Sequence, residues 1–149
     1  MKKLLIFLIF LFPSISYSNV YDGIWEVTGV VGERWFSLKT RHIGKTQELW
    51  KGYAGGVFFT CNAKGMVTTS KDYNLDEFLN TKEFRLFSKH KDELDLVGTK
   101  VSVTRKTCTG NYLASRKEMY PIVTFEDWDR AFYLSNGVIF VMEQDWSSY

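Results

Sequence analysis

Beyond its first twenty or so residues the chain is built of short runs in which apolar and polar positions alternate, with Gly, Asn and Asp between the runs. Alternation with a period of two sends successive side chains to opposite faces of a strand, so the pattern is that of a half-buried antiparallel sheet. In Gly23-Ile24-Trp25-Glu26-Val27-Thr28-Gly29-Val30-Val31, Trp25 and Val27 share one face and Glu26 and Thr28 the other. Gly56-Val57-Phe58-Phe59-Thr60-Cys61 and Gly65-Met66-Val67-Thr68-Thr69 read as two further strands about an Asn62-Ala63-Lys64 turn. A fourth run ends at Cys108, with Val101 and Val103 opposite in phase to Lys100, Ser102 and Thr104.

The sharpest local signal lies near the C-terminus. Ala131-Phe132-Tyr133-Leu134-Ser135 and Val138-Ile139-Phe140-Val141-Met142 flank Asn136-Gly137, the dipeptide that a two-residue type I′ hairpin prefers. Such a turn pairs Ser135 with Val138 and Leu134 with Ile139. Between the strand groups Asn74 can cap a short helix over 75–80, with Glu77 placed to bond back to the cap. Leu75, Phe78 and Leu79 would then share the face that docks on or closes a sheet.

Residues 1–18 depart from this pattern. Lys2 and Lys3 precede an unbroken apolar run from Leu4 to Phe12, and small residues, Ser16 and Ser18, end the segment. This is the layout of a cleaved secretory signal, too short in its apolar part for the about 20 residues that span a bilayer. Cleavage is expected after Ser18, leaving a single domain over 19–149 in the periplasm or the medium, with no stable membrane anchor. Removing Lys2 and Lys3 lowers the basic count from 19 to 17, equal to the 17 acidic residues. A neutral chain without a Lys/Arg block lacks the footprint of a nucleic-acid binder.

In an oxidising compartment the two cysteines, Cys61 and Cys108, are expected to form a disulfide, which in the chain-entropy model contributes up to about 4 kcal/mol. The rival reading, a metal pair with His42 or His90, lacks ligand spacing. Catalytic sets are thin. There is no Gly-x-Ser-x-Gly elbow, and bridged cysteines cannot attack as thiolates. Glu126, Asp127 and Asp129, followed by Arg130, form the densest acidic group, read as a solvated turn in preference to an acid/base cluster. His42 and His90 stand beside basic residues and are expected at the surface. No cofactor is called for.

Aromatic residues make up 17% of the chain, and most are expected in the core. Trp35, Phe36, Trp50 and Tyr53 lie in Gly-bounded stretches without clear alternation, and are the candidates for capturing an apolar ligand or docking to a partner.

Tyr21-Asp22-Gly23-Ile24-Trp25 resembles the Gly-x-Trp opening of lipocalin-type barrels. The later order strengthens the likeness: Cys61, the segment from Tyr73 to Leu79, the strand ending Thr107-Cys108-Thr109-Gly110, and the closing hairpin through Glu143. Over most of residues 21–143 the chain resembles small exported bacterial lipocalin-like proteins. That resemblance implies a mainly β, up-and-down antiparallel barrel with one short helix, Trp25 packed under its floor, and no catalytic residues. The expected function is non-enzymatic binding of a small apolar ligand or an envelope protein. The alternative is an inhibitor or accessory protein of a cell-wall enzyme such as lysozyme, acting through the Leu49-Trp50-Lys51-Gly52 loop.

Overall fold

A computed structural model describes residues 22–32, 37, 41–50, 52–62, 65–110, 112–113, 118–125 and 129–148. The alternating runs become strands: β1 (Gly23–Gly32), β2 (Thr46–Trp50), β3 (Tyr53–Gly56), β4 (Thr60–Cys61), β5 (Met66–Asn74), β6 (Lys100–Cys108), β7 (Tyr112–Leu113), β8 (Ile122–Phe125), β9 (Arg130–Ser135) and β10 (Val138–Gln144). All pair antiparallel in one sheet, in the order β5-β6-β8-β9-β10-β1-β2-β3-β4-β7. The sheet curls into a nearly closed barrel, mainly up-and-down, with β7 set beside β4 as the departure from chain order.

The first and last strands are neighbours. β1 and β10 pair from Trp25↔Gln144 to Gly32↔Val138, with a bulge between Val27 and Gly29. A β-carbon at Gly29 would stand 3.3 Å from the Val141 side chain, so at the bulge a larger residue would need Val141 to give way. The gap in the sheet falls between its two edge strands, β5 and the two-residue β7 that flanks β4. One covalent link spans it. The Cys61–Cys108 disulfide joins β4 to the end of β6, with Cα atoms 5.8 Å apart. Beside it the β5–β6 ladder runs on past Met66↔Cys108, where Gly65 O accepts from Thr109 N, and from Gly110 N at 3.3 Å. A β-carbon on Gly65 would come within 2.7 Å of Gly110 N, so the close passage depends on glycine.

The two faces of the sheet bury separate cores. Trp25, Val27, Leu49, Ala54, Cys61, Cys108, Ile122, Ala131, Tyr133, Phe140 and Met142, drawn from strands all round, fill the inside. The other face of β6, β8, β9, β10 and the end of β1 presents Val101, Val103, Val123, Phe125, Phe132, Ile139 and Val31 to a helical segment. That segment comprises α1 (Leu75–Asn80), a 3-10 turn (Lys82–Phe84) and α2 (Arg85–Lys89).

Asn74 caps α1 as its position predicts, Oδ1 accepting from Glu77 N at 2.8 Å. Leu75, Phe78 and Leu79 all turn to the sheet, so the helix docks on the barrel wall. Phe78 stacks on Phe84 at 4.5 Å and meets Phe87 and Phe125 edge-on at 5.2 and 5.7 Å. Aromatic pairs in these offset and T-shaped arrangements add about 0.5–1.5 kcal/mol each beyond area burial. Much of the aromatic surplus is therefore packing. Two guanidinium groups fasten the segment: Arg105 to Glu83 at 2.6 Å, and Arg130 to Leu94 O and Asp95 O at 3.0 and 2.9 Å.

The closing hairpin has the expected register, Ser135↔Val138 and Leu134↔Ile139, continuing to Ala131↔Met142. Asn136 and Gly137 take φ of 48° and 78°, the two positive values a type I′ turn requires. Other expectations are corrected. Residues 56–61 do not form one strand, because Phe58 and Phe59 leave the ladder to bond the buried Gln47 side chain. The stretch holding Trp50 and Tyr53 is a β2–β3 hairpin, with Trp50 opposite Tyr53.

Candidate functional site

One end of the barrel is ringed by half-buried apolar side chains. β3 ends at Gly56, and the chain then carries Val57 and Phe58 over the end of the inner core, where Met66 and Tyr120 also pack while remaining half-exposed. Phe58 lies 4.4 Å from Tyr133 and 4.7 Å from Phe140, between ring centroids. His42 stacks on Phe58 at 5.8 Å with an interplanar angle of 9°, and leans on Phe140 at 5.0 Å. Tyr120 lies edge-on to Tyr133, and its hydroxyl donates to Asn136 Oδ1 at 2.8 Å. This ring is the apolar surface of a candidate site.

What holds it in place is Gln47, an amide wholly buried inside the barrel. Its Oε1 accepts from Phe58 N at 2.9 Å and Phe59 N at 3.1 Å, while Nε2 donates to Phe59 O at 2.9 Å and Glu48 O at 3.1 Å. Both ends of the side chain are thus satisfied, which is what lets a polar group sit in the core. The irregular segment after β3 borrows from Gln47 the bonds that a strand would have given it.

Inside the barrel a polar row runs along β5 and β6. Thr68, Ser70 and Asp72 face inward opposite Lys106, Thr104 and Ser102. Ser70 Oγ and Thr104 Oγ1 are 2.9 Å apart, Ser102 Oγ donates to Asp72 Oδ1, and Lys106 Nζ donates to Thr68 Oγ1 at 3.2 Å. On β6 Lys106 and Thr104 are buried, Lys106 at 1% exposure, and Ser102 is half-buried, while on β5 Thr68 is half-exposed and Ser70 and Asp72 are exposed. The inside is packed under β1, β9 and β10 and open along β5. Burial pulls the Lys106 ammonium below the ordinary lysine value, and the Asp22 carboxylate partly offsets this. Among the described residues no ion pair joins Lys106 to Asp22.

Of the residues singled out in the sequence, Trp35 and Phe36 lie outside the described residues, as do Glu126, Asp127 and Trp128. Trp50 and Tyr53 are half-buried and flank the β2–β3 turn, with Trp50 Nε1 3.4 Å from Glu48 Oε2. His42 precedes β2 and Phe58 follows β3, so Trp50 and Tyr53 stand at the opposite end of those two strands from the aromatic ring. Neither histidine is a plain surface group. His42 is part of the ring, and His90 is half-buried with Nδ1 2.9 Å from Glu93 Oε2. Asp129 stands with Arg130, Glu143, Gln144 and Trp146 around a cleft of about 420 Å³.

The sequence reading missed Gln47 and Lys106. Lys106 carries a signal: it is in phase with Cys108, Thr104 and Ser102 and opposite to Val101 and Val103, so one charge had to face the inside. Gln47 carries none, since the run containing it is too short to show alternation.

The fold and these groups define a disulfide-stapled β-barrel with an apolar-rimmed end and a buried ammonium. No family, curated protein or solved structure matches the chain. Among the described residues no helix is long and apolar enough to cross a membrane, and no group of three metal-ligating side chains gathers.

Proposed function

We propose that the protein is an exported, lipocalin-like, non-enzymatic binding protein whose barrel takes a small apolar molecule. The observation that carries this reading is the half-buried ring of Val57, Phe58, Met66 and Tyr120 over the inner core. Apolar side chains held at a barrel end without full burial offer a ligand surface that is already shaped. Gln47 fixes the ring's backbone, which lowers the ordering cost of binding. The disulfide suits an oxidising compartment.

The test uses the purified mature form. Native mass spectrometry before and after mild denaturant reports a co-purified ligand, and an apolar fluorescent probe reports an empty site. Probe binding that weakens at least fivefold in Phe58→Ala is expected. A ligand-free mass together with no probe response would remove the reading.

The half-exposed Trp50 and Tyr53 at the β2–β3 turn favour a second reading, an inhibitor that inserts this hairpin into the cleft of a cell-wall enzyme such as lysozyme. Lysozyme lysis assays with intact and Trp50→Ala protein decide it, and equal lysis with and without the protein removes it.

A further inference from the structure

Lys106 is a buried ammonium with donors to spare. An ammonium has three N–H donors, and among the described residues Lys106 Nζ has one hydrogen-bonded acceptor, Thr68 Oγ1. Buried polar groups are normally paired, because the desolvation of an unmatched donor is not recovered. Its position adds to this. Thr68, its partner, is half-exposed on the open strand β5, and two residues earlier on the same inner face stands Met66 of the apolar ring. Apolar rim and buried donor are therefore consecutive along one wall.

We propose that Lys106 and Thr68 form the polar subsite of the ligand site and receive a neutral hydrogen-bond acceptor, such as the carbonyl of a ketone, ester or amide, on an otherwise apolar ligand. A carbonyl oxygen takes one of the spare Nζ donors, and the apolar body lies toward Met66 and Phe58. Neutrality follows from the charges already present. Asp22 acts electrostatically on Lys106, and Asp72 stands on the same polar row, bonded to Ser102, so a ligand anion would be drawn to Lys106 while being opposed by these carboxylates. A cation would be repelled by the ammonium at the donor itself. An uncharged acceptor gains the hydrogen bond and disturbs neither.

This inference rests on the small-ligand reading, and the experiment separates the two. Three bicyclic probes of nearly equal size are titrated into the mature protein: 2-ethylnaphthalene, without an acceptor, 2-acetylnaphthalene, with a neutral carbonyl, and 2-naphthoate, an anion. Hydrogen bonds to charged groups contribute about 1.5–3 kcal/mol, so the acetyl compound should bind about tenfold or more tightly than the ethyl compound. In Lys106→Met, which keeps the apolar stem, that preference should vanish while 2-ethylnaphthalene binds as before. Thr68→Val, at a half-exposed position, should alter the acetyl preference and leave the ethyl affinity unchanged. Equal binding of the acetyl and ethyl probes to the wild type would overturn the subsite and leave the small-ligand reading standing. Tightest binding of 2-naphthoate, lost in Lys106→Met, would overturn the neutral class. Failure of all three to bind would overturn the reading and the subsite together.

Discussion

Cys61 on β4 and Cys108 at the end of β6 are bonded across the gap in the sheet, not between strands that pair with each other. The bond therefore completes the circuit of the barrel where backbone pairing between the edge strands β7 and β5 is missing. It closes a sequence separation of 47 residues, for which chain entropy gives about 4 kcal/mol before any native strain is subtracted. The Cys61→Ser/Cys108→Ser protein should be less stable by about 2–4 kcal/mol in urea unfolding. Amide exchange should rise first in β4 and at the Met66 end of β5, with β9 and β10 affected least.

Gln47→Leu keeps the volume and removes the amide. Phe58 N, Phe59 N and Phe59 O would lose their partners, each worth about 1–3 kcal/mol when left buried and unpaired. A loss of roughly 3 kcal/mol or more is expected in chemical denaturation, together with weaker binding of an apolar probe, because the same bonds hold Phe58 on the ring.

Lys106 gives a pH signature. Its folded pKa lies below the ordinary value of 10.5, so the unfolded chain binds more protons across the interval between the two. Stability must rise with pH through that interval. Well below it, Lys106 is charged in both states and the folded protein carries the full desolvation cost. Above the ordinary value the amine is neutral in both states and that cost is gone. Comparing urea midpoints of wild type and Lys106→Met from pH 7 to pH 10.5 should show the wild type gaining on the variant. Parallel profiles would show that burial does not act on this group.

Arg130 holds the far end of the helical segment to the barrel through Leu94 O and Asp95 O, with its guanidinium 5.6 Å from the centre of the Phe132 ring. Arg130→Met should cost about 2 kcal/mol, the value of hydrogen bonds to a charged group less what the Met stem retains. Hydrogen exchange should localise the loosening to residues 85–96.

Phe58 and Trp50 offer a paired contrast. Phe58→Ala should lower apolar-probe affinity at least fivefold and destabilise by about 2–3 kcal/mol, below the fully buried range because Phe58 is half-buried. Trp50→Ala should leave probe affinity within twofold, since the β2–β3 turn is at the other end of those strands. Fluorescence titration of both variants checks this.

The sequence was most legible where local chemistry decides the structure. Asn136-Gly137 sets its hairpin register unaided, Asn74 caps its helix, and the alternation of Trp25 with Val27 and of Val101 with Val103 assigns each strand its faces. It was least legible where distant partners decide. Residues 57–59 carry strand-forming side chains, yet the Gln47 side chain, from another strand, takes the hydrogen bonds of Phe58 and Phe59 and the ladder breaks. Phe84, Phe87, Leu94 and Leu96 fall in segments too short for helical periodicity, and they are ordered by the wall they cover. The aromatic stretches around Trp50 gave composition without geometry, so the rings that do gather, His42, Phe58, Tyr120, Tyr133 and Phe140, were not those singled out.

The pairing of β1 with β10 sets a condition on how the chain comes to its fold. The strand that emerges first finds one of its two neighbours only when the last strand is free to join it, so contacts of the greatest possible sequence separation come last and folding should be slow for the chain's size. Until then both the Trp25 strand and the β9 side of the closing hairpin present open edges, which are sites for pairing with other chains. A chain interrupted before Val138 would keep the disulfide and most of the wall under the helical cover, yet lose the bulge at Gly29, which exists only against β10, and be an unclosed sheet.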